Sequence, residues 1–185
     1  TLNGLKGGHS GMDIIKGLGN ANKLLNRFLL DGFENYGLRI SEIDGGGLRN
    51  AIPRESTAVF CIDSIHKEAF EADVAELAEA IKAEYQNLEP NLKIKLEPTI
   101  LPKQVMELGV QEALIKAIHA AWNGVYRMSP DIKDLVETSN NVARVRAGGG
   151  EFEVLCLTRS SVESSRTDPA NTVRSVFELI GCEVK

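Results

Sequence analysis

The sequence has no excess of positive charge: 21 Lys and Arg stand against 26 Asp and Glu, for a net charge of -5. The basic residues form no stripe along the chain, so a dedicated nucleic-acid surface is excluded from the leading readings. There is no apolar run near the roughly 20 residues that a bilayer-spanning helix needs, and no basic-then-apolar start of the signal-peptide kind. No membrane partner is expected, and a cytoplasmic location is. Cysteine is sparse and odd in number, with Cys61, Cys156 and Cys182 lacking any C-x-x-C spacing; reduced, partly buried thiols fit better than a disulfide frame. What is present is ordinary: 185 residues, 43% hydrophobic, 25% charged and 5% aromatic, enough for a real core and unlike disordered, collagenous or coiled-coil chains. The first residue is Thr1, with strand-like residues from Leu2 to Lys6 directly behind it, and the expectation is a piece excised from a longer protein.

The apolar pattern predicts α+β architecture. Ala21, Leu24, Leu25, Phe28 and Leu29 recur at helical spacing, with Gly32 and Gly37 at the far end. Leu38, Ile40 and Ile43 read as a strand, the glycines at 45–47 as its turn, and Thr57 to Ile62 as the antiparallel return. After a cap at Asp63 or Ser64, Phe70, Val74, Leu77, Ala78, Ile81 and Tyr85 restore the 3.6-residue period, with Glu71, Glu76 and Glu79 toward water. The same order then recurs. Leu92, Ile94 and Leu96 alternate as a strand; Leu101-Pro102 leads into a helix running from Val105 through Trp122 to Val125. Leu135–Arg146 and Glu151–Thr158 form a hairpin about Gly148–Gly150, and Asp168-Pro169 starts a last helix through Val173, Val176, Phe177 and Ile180. The prediction is two tandem βαββα units, about 1–88 and 89–185, with antiparallel sheets covered by helices on one face.

Few residues stand out chemically. His9 lies among glycines in Gly7-Gly8-His9-Ser10-Gly11, with no apolar neighbours to bury it, and is the best chemical candidate. His66 and His119 read as solvated helix residues. The three histidines are far apart and have no carboxylate or thiol at ligand spacing, so this chain alone does not predict a zinc site. Ser10 is in no nucleophile elbow, and Gly17-Leu18-Gly19 lacks the third glycine of a dinucleotide loop. Arg159 follows the strand from Phe152 to Leu157 and precedes Ser160-Ser161, a suitable place for a guanidinium fork to meet a carboxylate, although a surface arginine would look the same. Asn140-Asn141 reads as a polar turn or strand-edge pair.

Several segments, in order, resemble one family: Gly4-Leu5-Lys6-Gly7-Gly8-His9-Ser10-Gly11, Gly19-Asn20-Ala21-Asn22-Lys23-Leu24-Leu25, Gly46-Gly47-Leu48-Arg49-Asn50-Ala51-Ile52-Pro53-Arg54-Glu55, Thr138-Ser139-Asn140-Asn141 and Arg159-Ser160-Ser161. Together they look like the lid, or dimerisation, domain of the bacterial Xaa-His dipeptidases, also called aminoacylhistidine or cytosol non-specific dipeptidases, in the dinuclear-zinc peptidase group. The resemblance implies a lid that closes over a dipeptide, while a catalytic domain of the same polypeptide, absent from this chain, holds two zinc ions and a general-base glutamate. It places His9 at the scissile carbonyl oxygen and Asn50 and Arg159 at the substrate's terminal carboxylate, and it adds a homodimer or an internal imitation of one. Because His9 and Asn50 fall in the first unit and Arg159 in the second, lid closure is expected to gather them. The chain alone is expected to bind no metal and to be inactive. The competing reading is a free-standing small-molecule-binding or dimerisation module without catalysis, since fold does not fix function.

Overall fold

The computed structural model describes residues 1–185. The chain runs β1 (Leu2–Asn3), β2 (Gly8–His9), α1 (Ala21–Tyr36), β3 (Arg39–Gly46), β4 (Ala51–Ile52), β5 (Ser56–Cys61), α2 (Lys67–Tyr85), β6 (Lys93–Ile94), α3 (Leu108–Ala120), β7 (Gly124–Met128), β8 (Val136–Gly148), β9 (Glu151–Ser160) and α4 (Glu163–Glu178). Strand, helix, strand, strand, helix recurs in both halves, with small additions in each. Seven strands form one antiparallel sheet in the order β6-β1-β5-β3-β8, with β9 on one edge of β8 and β7 beside its first half on the other. The halves meet where Ile43–Gly46 of β3 pair with Arg144–Ala147 of β8. The other two strands, β2 and β4, make a separate two-stranded ribbon.

All four helices join one face of the sheet in a single apolar core. The α1 stripe read from the sequence is buried in full, and Phe70, Ala78 and Ile81 anchor α2. Asn20 caps α1 by accepting the amides of Asn22 and Lys23. Gln111 of α3 is completely buried and bridges β3, donating to Leu38 O at 2.7 Å and accepting from Ile40 N at 2.6 Å. Lys23 reaches from α1 to donate to the carbonyls of Ile118, His119 and Ala121 at 2.6, 2.7 and 2.8 Å, where a cation offsets the negative end of α3.

Several boundaries differ from the sequence reading for identifiable reasons. The first strand stops at Asn3 because Gly4 turns at φ +83, with its missing Cβ directed into the Asn91 carbonyl. The helix expected to reach Val125 ends at Ala120; the backbone becomes extended at Ala121, and Gly124 at φ +108 opens a strand instead. Trp122 and Val125 fit the helical stripe, yet they lie beside and within β7. The final helix begins at Glu163 and passes through Pro169, so the Asp168-Pro169 pair was not its start. The strand expected over Leu92–Leu96 pairs only at Lys93–Ile94.

Candidate functional site

The β2–β4 ribbon pairs Gly8 with Ile52 and His9 with Ala51, so the loop bearing His9 and the loop bearing Asn50 are stitched together at the outset. Ser10 N extends the stitch to Asn50 O at 2.8 Å. The backbone of His9 is fixed from both sides: its amide donates to Asp13 Oδ2 at 2.7 Å, and its carbonyl accepts from Asp13 N at 2.8 Å. The Asp13 carboxyl is held below its ordinary range by the Lys16 ammonium and then by the His9 amide. The imidazole is fixed as well. Gly11 N and Met12 N both donate to His9 Nδ1, each at 3.2 Å. An Nδ1 that accepts leaves the proton of the neutral ring on Nε2, so His9 presents an N–H donor outward.

The ribbon is fastened to the sheet by asparagines. Along one edge of β8, β7 pairs as far as Asn140 and β3 begins at Arg144. On that edge Val142, flanked by β9 on the other, therefore passes through a gap with no strand beside it. Its amide donates to Asn123 Oδ1 at 2.9 Å, and its carbonyl accepts from Asn20 Nδ2 at 3.0 Å and Asn22 Nδ2 at 3.3 Å. Side-chain amides thus replace the missing ladder, which a buried backbone requires. Asn141 completes the seam: Oδ1 accepts from Asn20 at 3.2 Å, and Nδ2 donates to Ala51 O in the ribbon at 2.8 Å. Asn140 donates to Trp122 O and accepts from Thr158. Both members of the Asn140-Asn141 pair are fully buried in mid-strand, and not in a turn or at a sheet edge.

Arg159 lies on β9 opposite Ser139 of β8. It makes no ion pair or hydrogen bond through its side chain, and its Nε is buried without an acceptor. It lines a cleft of about 570 Å³ with Asn50, Arg49, Arg166, Thr158 and Ser160. A side chain at Gly11 would begin 3.2 Å from His9 Cε1 and 3.3 Å from Arg159 Cδ. The imidazole and the arginine stem therefore flank the same small space, which glycine leaves open.

Comparison with known proteins finds relatives of this sequence and fold. Over its whole length the chain is 38% identical to the cytosol non-specific dipeptidase of Escherichia coli strain K12. The crystal structure of aminoacylhistidine dipeptidase from Vibrio alginolyticus superposes on all of it with a TM-score of 0.96, again at 38% identity. The chain matches one segment of such dipeptidases from end to end. That segment is 38% of the length of each relative, and residues 1–89 also match the peptidase dimerisation domain.

Within this chain, the three residues singled out from the sequence are already neighbours, without any closing motion inside it. The ribbon and the asparagine seam bring the first half's His9 and Asn50 to the second half's Arg159. Arg49 and Arg166 were not singled out; Arg49 had a signal in its place beside Asn50, whereas Arg166, paired with Glu163 on α4, had none. His119 is exposed as expected, but His66 is half-buried edge-on against Tyr36 at 5.9 Å. No cluster of three His, Cys, Asp or Glu side chains could hold a metal ion. The residues present therefore do not fit a zinc centre held by this chain alone; His9, Asn50 and Arg159 offer hydrogen bonds and charge.

Proposed function

We propose that this chain is the substrate-covering lid of a zinc-dependent dipeptidase acting on Xaa-His and other dipeptides, in the cytoplasm and with a homodimer among its assemblies. The zinc ions and the general base belong in this reading to a catalytic domain elsewhere in the same polypeptide. The lid supplies recognition and charge stabilisation. Arg159 and Asn50 hold the free C-terminal carboxylate, whose two oxygens suit a guanidinium fork assisted by an amide. His9 donates from Nε2 to the scissile carbonyl oxygen, where negative charge grows during attack and a preplaced donor lowers the barrier. The observation that carries the reading is Arg159: a half-buried guanidinium with an orphaned Nε and no carboxylate partner in its own chain, in a cleft shared with Asn50. Buried donors of this kind find partners, and a dipeptide provides one.

The test is Arg159→Ala in the full-length enzyme, assayed on a dipeptide and on the same dipeptide amidated at its C-terminus. Loss of a charged partner in a desolvated site is worth about 2 to 5 kcal/mol, and it should fall on the free dipeptide alone. Equal slowing of both substrates would make Arg159 structural.

A further inference from the structure

Glu89 is a carboxylate in an unfavourable place. It is 2% exposed and has no ion-pair partner. It also lies one turn beyond the end of α2, with its amide donating to Tyr85 O at 2.7 Å; negative charge is disfavoured at a helix C-terminus. Buried carboxylates in such positions need strong compensation, and here it comes from two backbone amides: Lys6 N donates to Oε2 at 2.7 Å, and Gly19 N donates to Oε1 at 3.0 Å. These amides bound the loop that carries His9, Gly11 and Asp13. The loop ends also meet directly, since a Cβ on Gly19 would lie 3.0 Å from Leu5 Cδ2.

We infer that Glu89 is a positioning residue for His9: a clasp that closes the base of the His9 loop and ties it to α2. The inference rests on the reading of His9 as the donor to the carbonyl oxygen. A carboxylate suits the task because each oxygen accepts one amide, whereas a glutamine would turn an NH₂ toward one of them. Closing the base removes chain freedom from the loop, so the turn that aims Gly11 N and Met12 N at His9 Nδ1 stays formed. Displacement of a catalytic donor by about 1 Å can cost on the order of a hundredfold in rate, which gives a distant clasp leverage over the chemical step.

The experiment uses the full-length enzyme with Glu89→Gln, His9→Ala and the double variant. Glu89→Gln should lower kcat by about tenfold or more while KM changes little. Long-range proton–nitrogen spectra of His9 should move from an accepting Nδ1 toward a tautomer mixture. In the His9→Ala background the same substitution should slow the enzyme by less than about twofold, since residues acting through one another are not additive. A full additional loss in that background, or an unchanged His9 spectrum, would overturn the clasp. Normal kcat in His9→Ala would instead remove His9 from catalysis, leaving the spectrum alone to decide whether Glu89 positions the ring. If Glu89→Gln does not fold, amide exchange in the wild-type enzyme decides: Lys6 and Gly19 should exchange as slowly as central strand amides, and loop-like exchange at either would refute the inference.

Discussion

The helix-covered face of the sheet and the seam under the β2–β4 ribbon are held by opposite means. On the covered face, α1 through α4 share one apolar core in which each side chain has many interchangeable neighbours. In the seam, Asn20, Asn22, Asn123 and Asn141 meet the backbone of Val142 and Ala51 through individual hydrogen bonds. Apolar contact is shared among many neighbours and has no direction, whereas a buried hydrogen bond fails when one partner is removed, leaving the other unsatisfied. The candidate site is built on the seam, where geometry is fixed bond by bond, and the core supplies the free energy that keeps the seam in place.

The largest test of that division truncates the core. Leu114 is fully buried on α3, and Leu114→Ala should destabilise the chain by about 2 to 5 kcal/mol, the range for a leucine cavity. In the full-length enzyme, kcat at a temperature where the variant remains folded should be close to wild type. Urea denaturation gives the first quantity and steady-state kinetics the second; a folded variant with strongly reduced kcat would show that core and site are not separable. His9→Ala should give the converse result. Loss of one donor to a developing oxyanion typically removes about 10²- to 10³-fold in kcat. Stability should move by no more than about 0.5 kcal/mol, the scale for replacements outside the core, because the freed amides of Gly11 and Met12 can turn to water. Unfolding on this substitution would return His9 to the structural residues.

The seam itself should be sensitive in both respects. Asn141→Leu keeps the branched four-atom outline with larger apolar ends and removes the donor to Ala51 O, at about 1 to 3 kcal/mol for a group orphaned in the interior, while Asn20 Nδ2 keeps Asn123 Oδ1 and Val142 O. It also unfastens the ribbon from β8, so KM for a dipeptide should rise in the full-length enzyme as Asn50 and Arg159 lose their registration. A variant with altered stability and unchanged KM would mean that ribbon and cleft are positioned independently.

The same division governs what was legible beforehand. The α1 and α2 stripes are periodic, and periodicity is a property of sequence, so their buried faces were read correctly. Arg159 and His9 also stood out, one by its place at a strand end and the other by its glycines. Asn140-Asn141 could not be read in the same way. A polar pair in a strand is ordinary at an edge, and its burial follows only from the gap between β7 and β3, which is a relation among three distant segments. That gap was hidden because Trp122 and Val125 continue a helical stripe, whereas the backbone turns extended at Ala121 and Gly124 at φ +108 opens a strand. The proximity of His9 to Arg159 had the same origin and was therefore assigned to a closing motion.

The smallest effect lies where core and polar contacts meet, at Lys23 and Cys156. Burial pushes the Lys23 ammonium down to about 8 from 10.5, even with three carbonyls around it, and pushes the Cys156 thiol up to about 11 from 9.0. Each favours the neutral form when folded, but the pH dependences have opposite signs. Between pH 8 and 10.5 the unfolded chain holds a proton on Lys23 that the folded chain has released, so this residue makes stability rise with pH. Between pH 9 and 11 the folded chain retains a proton on Cys156 that the unfolded chain has lost, so this residue makes stability fall. The two slopes offset each other between pH 9 and 10.5. Relative to wild type, Cys156→Ala should gain stability as pH rises from 9 to 11, and Lys23→Met should lose it from 8 to 10.5. Lys23→Met keeps an apolar stem in place, so the comparison is of slopes and not of packing. Denaturant midpoints for the three chains at intervals across this range provide the measurement. If Cys156→Ala follows the wild-type profile, the thiol ionises as freely in the folded chain as in the unfolded one, and the core around β9 is wetter than its packing implies.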